Sequence, residues 1–128
     1  MNDHLTEKEV HKIIERRSTG KTSFGEFLEE LSQIGVIQYD INVATGEATY
    51  KGEHSEVKTD PQVQFVISND FNRNQALKAI ASIALPFLDF LRELAAAGVT
   101  TYNVNIIEKT ATYVGIKGAP IVEPLQQS

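Results

Sequence analysis

A shift of sixty-three positions lays one stretch of this chain over another without a gap, and that self-similarity constrains the fold more than any other feature. Phe24 to Gly52 reads FGEFLEELSQIGVIQYDINVATGEATYKG, and Phe87 to Gly115 reads FLDFLRELAAAGVTTYNVNIIEKTATYVG. Phe24 stands over Phe87, Phe27 over Phe90, Leu31 over Leu94, Gly35 over Gly98, Tyr39 over Tyr102 and Tyr50 over Tyr113. Recurrence of the same residues in the same order predicts an internal duplication within one domain, 1–128, with one copy over about 5–60 and the other over about 71–122.

The period inside each copy changes once. Phe24, Phe27, Leu28 and Leu31 fall at i, i+3, i+4 and i+7, which is one apolar stripe on a helix. Ser23 three residues before Glu26 has the capping-box pattern, Pro86 suits a first helical position, and Gly35 and Gly98 stand where a left-handed C-cap is wanted. Past each glycine the period becomes two, with Ile37, Tyr39, Ile41 and Val43 alternating with polar residues, and Tyr102, Val104 and Ile106 repeating the pattern. Ala44-Thr45-Gly46 turns the first strand back into a second over Glu47 to Lys51; the matching turn around Ile107-Glu108-Lys109 lacks glycine. A further helix precedes each repeat, Thr6 to Arg17 and about Asn72 to Ala84, the first with its own capping-box pattern of Thr6 and Glu9. The linker predicts a strand at about 62–68, through Val63, Phe65 and Ile67, and the tail a short edge strand at Ile121 and Val122. The expected class is α+β: a duplicated ααββ unit whose hairpins join one mainly antiparallel sheet, with helices packed on one face.

Composition narrows the function. A chain of 128 residues closes a core without a staple, and with no cysteine it has no disulfide framework, thiolate chemistry or thiolate-bound metal. A cytoplasmic location is expected on that ground. Twelve basic residues against seventeen acidic ones give a net charge of −5, and the basic residues are scattered, so neither nucleic acid nor an anionic membrane is an expected partner. The longest apolar run, IALPFLDFL, is broken by Pro86 and Asp89.

The arrangement F-x-x-[FY]-[LI]-x-x-L-x-x-x-G-V-x-x-Y, followed by a hairpin ending in T-Y-x-G and repeated within one short chain, resembles the YbcV-like family. Those are bacterial and prophage-encoded proteins, domain of unknown function 1398, often labelled phage envelope protein. FLEELSQIGVIQYDINV and FLRELAAAGVTTYNVN carry the resemblance, and nearly the whole chain is covered. It implies a fold and no activity. The chain also departs from the family pattern: Ile80, Ala81, Ser82 and Ile83 replace a polar His-Gln-x-Gly stretch, and Asn105 replaces an aspartate that could act as a general base.

No catalytic constellation, metal site or cofactor is expected. His4 and His11 are seven apart and His54 lies in a loop, which is not the i,i+4 spacing of paired metal ligands. Glu26 with Glu30 and Asp89 with Glu93 are i,i+4 carboxylate pairs suited to solvated helix faces. RRSTGK lacks the first glycine and the preceding strand of a phosphate loop, and no serine sits in a nucleophile elbow. The four tyrosines share the apolar face of the hairpins, where core packing is their ordinary role. The opposite face gathers Gln38, Asp40, Asn42, Thr49, Thr101, Asn103, Asn105 and Thr112, short polar groups able to recognise a ligand. The expectation is a non-catalytic binding or interaction module for a small molecule or protein, using that polar face or the groove between the repeats. The alternative is a small enzyme with a site between the halves, built on Asp40 with Glu or Tyr side chains. Outward Ile107 and Val114 in the second copy predict self-association as a homodimer.

Overall fold

The computed structural model describes residues 5–82 and 86–125. Among these residues the chain runs α1 (Glu7–Ser18), α2 (Phe24–Gln33), β1 (Gln38–Asn42), β2 (Ala48–Lys51), β3 (Glu56–Lys58), α3 (Arg73–Ile80), α4 (Phe87–Ala96), β4 (Val99–Asn105), β5 (Thr110–Gly115) and β6 (Ile121–Pro124). The strands form one antiparallel sheet in the order β3-β2-β1-β4-β5-β6. The class is therefore α+β.

Local chemistry explains the helix ends. Ser23 accepts from the Glu26 N–H while the Glu26 carboxylate accepts from the Ser23 N–H, so both halves of the capping box at α2 are made. Thr6 caps α1 through Glu9, and Asn72 caps α3 through Gln75. At the far end of α2, Gly35 has φ 98°, its N–H reaches the Ser32 carbonyl, and the Val36 N–H reaches back to Leu31. That is the glycine-terminated cap its position predicts. Gly98 does the same work at φ 87° under a tighter constraint, because a Cβ there would lie 2.9 Å from the Phe71 Cα.

Alternation along the strands places Tyr39, Ile41, Ala48, Tyr50, Val57, Tyr102, Val104, Ala111, Tyr113 and Ile121 inward, all buried, against Val10, Ile13, Phe27, Leu31, Phe90, Leu91 and Leu94 of the helices. Each aromatic triplet stacks alike: Phe27 meets Tyr39 edge-on at 6.2 Å and Tyr39 lies 5.2 Å from Tyr50, while Phe90 meets Tyr102 edge-on at 5.7 Å and Tyr102 lies 5.2 Å from Tyr113. Arg16 of α1 forks onto Glu30 of α2 through Nε and Nη2 at 3.1–3.2 Å, tying that helix pair together.

Two strand expectations need correction. Residues 62–68 form no strand; Gln62, Val63 and Phe65 donate only to the Thr45 and Ala44 carbonyls, because the outer edge of β2 is already occupied by β3. The second difference is β3, a strand that the sequence does not predict; with β6, the edge strand expected at Ile121 and Val122, it extends the ααββ order to ααβββ in each half. Helix α3 ends at Ile80, and the end expected near Ala84 lies outside the described residues.

Candidate functional site

The sheet has two unlike faces, and each carries a concavity. On the outer face, away from the helices, a shallow depression of about 460 Å³ straddles the β1–β4 seam. Of the eight polar residues singled out from the sequence, Asp40, Asn42, Thr49, Thr101, Asn103 and Thr112 line it, whereas Gln38 and Asn105 do not. Asp40 pairs across the seam with Asn103, whose Nδ2 donates to Asp40 Oδ1 at 2.7 Å and to Gln38 Oε1 at 3.0 Å. Lys51 Nζ closes on Asp40 Oδ2 at 2.8 Å, and that bond raises the Lys51 pKa. The two outermost asparagines have structural work: Asn42 Oδ1 accepts from the Ala44 N–H and Asn105 Oδ1 from the Glu108 N–H, each holding its hairpin turn. Much of the hydrogen-bonding capacity of this face is therefore spent within the protein. Glu47 and Tyr102 also line the depression beside Asp40, although the Tyr102 ring is buried on the helix side of the sheet against Phe90.

The inner concavity lies between the helix pairs and the sheet and measures about 430 Å³, within the usual range for small-molecule sites. The tyrosines, whose ordinary role is packing, share this groove with Arg17, Ser18, Thr59 and Gln62, polar residues that no motif or spacing in the sequence marks. Its walls are Phe24 and Phe27 of α2, Phe87, Leu88 and Phe90 of α4, and Ile14 of α1; its floor is Tyr39, Ile41, Ala48, Tyr50 and Tyr102. The side chains of Tyr39, Tyr50 and Tyr102 are only 3%, 5% and 4% exposed, and among the described residues no hydrogen bond ties their hydroxyls to the protein. These hydroxyls open on the groove; the one fully enclosed side-chain polar atom without a partner among the described residues is Thr22 Oγ1. Burial drives the pKa of each above the ordinary phenol value, keeping these groups protonated and able to donate near neutral pH. The positive charge of Arg17, in the last turn of α1, is felt at Tyr39 and opposes that rise.

Helix α4 opens onto the same groove. Pro86, its N-cap, supplies no side-chain hydrogen bond, and Pro86, Phe87, Leu88 and Asp89 all line the cavity. The corresponding turn of α2 is closed by Ser23 and Glu26. Among the described residues no group of His, Asp and Glu is disposed to hold a metal ion, and no helix is long and apolar enough to cross a membrane.

No curated protein matches the chain. A family model described as protein of unknown function (DUF1398) matches residues 9–122, which takes in the described helices, hairpins and both concavities almost in full. The chain belongs to the DUF1398 family.

Proposed function

We propose that the protein is a non-catalytic small-molecule-binding module whose site is the groove between the helix pairs and the sheet. One observation carries this reading: three nearly inaccessible tyrosines line an apolar cavity and their hydroxyls have no protein partner among the described residues. A bound molecule that accepts from those hydroxyls would satisfy them, and predominantly apolar walls with a few convergent polar groups are the usual make-up of a small-molecule site. Phenols held protonated by burial donate hydrogen bonds but do not serve as bases near neutral pH, which favours recognition over proton transfer.

The groove fits a chain that is an internal duplication of an ααβββ unit. The sixty-three-residue shift, the repeated element order and the matched Phe-Tyr-Tyr stacks support that reading, and the two halves would then contribute equivalent tyrosines, Tyr39 and Tyr102, to one cavity at their junction. Within the family we place the chain among the YbcV-like, prophage-encoded members, on its two F-x-x-F-L-x-x-L segments, and we place it in the cytoplasm.

The test is a thermal-shift screen of small apolar and aromatic compounds against the wild type and Ala48→Leu, since a leucine at this floor position grows into the groove. Compounds that stabilise the wild type and lose their effect on the folded Ala48→Leu variant support the reading. Stabilisation that survives Ala48→Leu, or none across the screen, opposes it.

A further inference from the structure

We infer that the groove takes an uncharged, flat aromatic molecule bearing a carbonyl oxygen, which accepts from the row of tyrosine hydroxyls on its floor. The inference rests on the groove being the binding site and assigns the charge and polarity of what it holds.

The register of the sheet builds that row. Tyr50 stands opposite Tyr39 across the β1–β2 pair, and Tyr102 stands opposite Ile41, two residues along β1 from Tyr39 and on the same face. The three tyrosines therefore occupy neighbouring positions on three adjacent strands, β2, β1 and β4, with the Tyr39 and Tyr50 rings 5.2 Å apart. All three line the groove, and among the described residues no hydrogen bond ties their hydroxyls to the protein. Burial keeps them protonated, so each brings an O–H to the groove with no acceptor among the described residues. The other hydroxyls of the lining are committed: Ser18 donates to the Glu15 carbonyl and Thr59 Oγ1 accepts from the Ala48 N–H. The groove is short of an acceptor, and a carbonyl oxygen supplies one.

The rest of the lining sets the body of the molecule and its charge. Phe24, Phe27, Phe87 and Phe90 line the cavity, so a flat ring system gains contact that a sugar would not. The two charged side chains of the lining, Arg17 and Asp89, are both engaged by the protein. Arg17 donates to the Thr22 carbonyl at 3.2 Å, and Asp89, its side chain more than half exposed, lies 3.9 Å from Arg92. An ion carried from water onto the four phenylalanines would lose its hydration with no uncommitted counter-charge to replace it, a cost that a neutral molecule avoids.

Isothermal titration with two probes of nearly equal shape, acetylnaphthalene and isopropenylnaphthalene, tests the assignment, since they differ only in a carbonyl oxygen against a methylene. The triple variant Tyr39→Phe, Tyr50→Phe, Tyr102→Phe removes the hydroxyls and keeps the rings. Its affinity for acetylnaphthalene is expected to fall roughly three- to tenfold relative to the wild type, the worth of one hydrogen bond between uncharged partners, while its affinity for isopropenylnaphthalene does not fall. The ligand-free variant is expected to melt no lower than the wild type, and a lower melting temperature overturns the inference by showing that the protein itself bonds these hydroxyls. An equal change in affinity for the two probes overturns the inference and leaves the groove as a site without polar selection. Naphthoate binding to the wild type more tightly than acetylnaphthalene overturns it too, because the groove would then meet a charge. Binding of neither naphthalene probe to the wild type overturns the inference and the groove reading together.

Discussion

Asp40 and Asn103 face each other across the β1–β4 seam at 2.7 Å, and they are separated in sequence by the same sixty-three residues that align the two halves. In the β1–β4 register this pair is the central one, with Tyr39 opposite Val104 and Ile41 opposite Tyr102, and here it is a carboxylate and an amide. The amide makes the close approach favourable. Asn103→Asp would put two carboxylates in contact, costing on the order of 1–2 kcal/mol at neutral pH even with Lys51 nearby. One carboxyl of that variant pair would hold its proton to higher pH than in the unfolded chain, so stability should recover as pH falls toward about 4. Urea midpoints of wild type and variant across that range should converge on acidification; a gap that stays constant contradicts the account.

The hairpin turns predict a stabilising substitution. Gly46 has φ 80°, and the residue sixty-three positions later, Lys109, adopts φ 59°, the one non-glycine residue at positive φ among the described residues. Lys109→Gly should therefore raise stability by about 0.5–1 kcal/mol, because the left-handed conformation costs glycine little. A lower melting temperature for this variant would show that the lysine side chain contributes more than its backbone strain costs.

Gly35 and Gly98 should differ despite their shared role. Gly35→Ala loses a favourable left-handed cap and should cost roughly 1 kcal/mol. Gly98→Ala adds a Cβ 2.9 Å from the Phe71 Cα and 3.1 Å from the Asp70 carbonyl oxygen, both backbone atoms that cannot swing aside. Its cost should be at least twice as large, read as the denaturant midpoint; equal effects would contradict the packing of Phe71 on this glycine.

The tyrosines predict how the fold fails in alkali. Burial raises the pKa of Tyr39, Tyr50, Tyr102 and Tyr113 above the ordinary value of 10.0, so the unfolded chain releases protons that the folded one retains. Stability is flat in these groups below pH 10 and falls above it, by up to about 1.4 kcal/mol per pH unit for each tyrosine. Phenolate absorbance should appear in one cooperative step together with loss of secondary structure. Stepwise ionisation of a folded protein would contradict this.

The exposed apolar side chains are unevenly shared between the halves. Ile107, Val114, Ile116 and Val122 lie in the second half at 40–68% exposure, and Val114 stands where the first half has Lys51. We expect self-association through this region at high concentration. Sedimentation velocity should show a dimer that Val114→Lys weakens, and a monomer throughout the micromolar range would contradict it.

The helix pairs and hairpins were legible because their signals are local: a capping box at Ser23, glycines at 35 and 98, and a change of period after each. Strand β3 was not, since three residues with one inward side chain, Val57, carry too little periodicity to be read. Val63, Phe65 and Ile67 alternate as a strand would, but pairing depends on a free edge, and the β2 edge is taken by β3. The polar face was identified residue by residue, yet nothing in the spacing of Asn42 and Asn105 separated turn-holding amides from ligand-binding ones. A groove between the repeats follows from the sequence, but its lining does not, because its depth depends on how far apart two helix pairs stand above the sheet, and no local pattern encodes that distance.

The most direct measurement is a map of backbone and aromatic-ring NMR shifts during titration with a small aromatic compound that stabilises the protein. The account predicts that perturbations concentrate on Phe27, Tyr39, Tyr50, Phe90 and Tyr102, with the amides of Asn42, Asn103 and Thr112 little changed. Perturbations centred on Asp40, Asn103 and Thr112, with the ring signals of the tyrosines unmoved, would place the ligand on the outer face and contradict it.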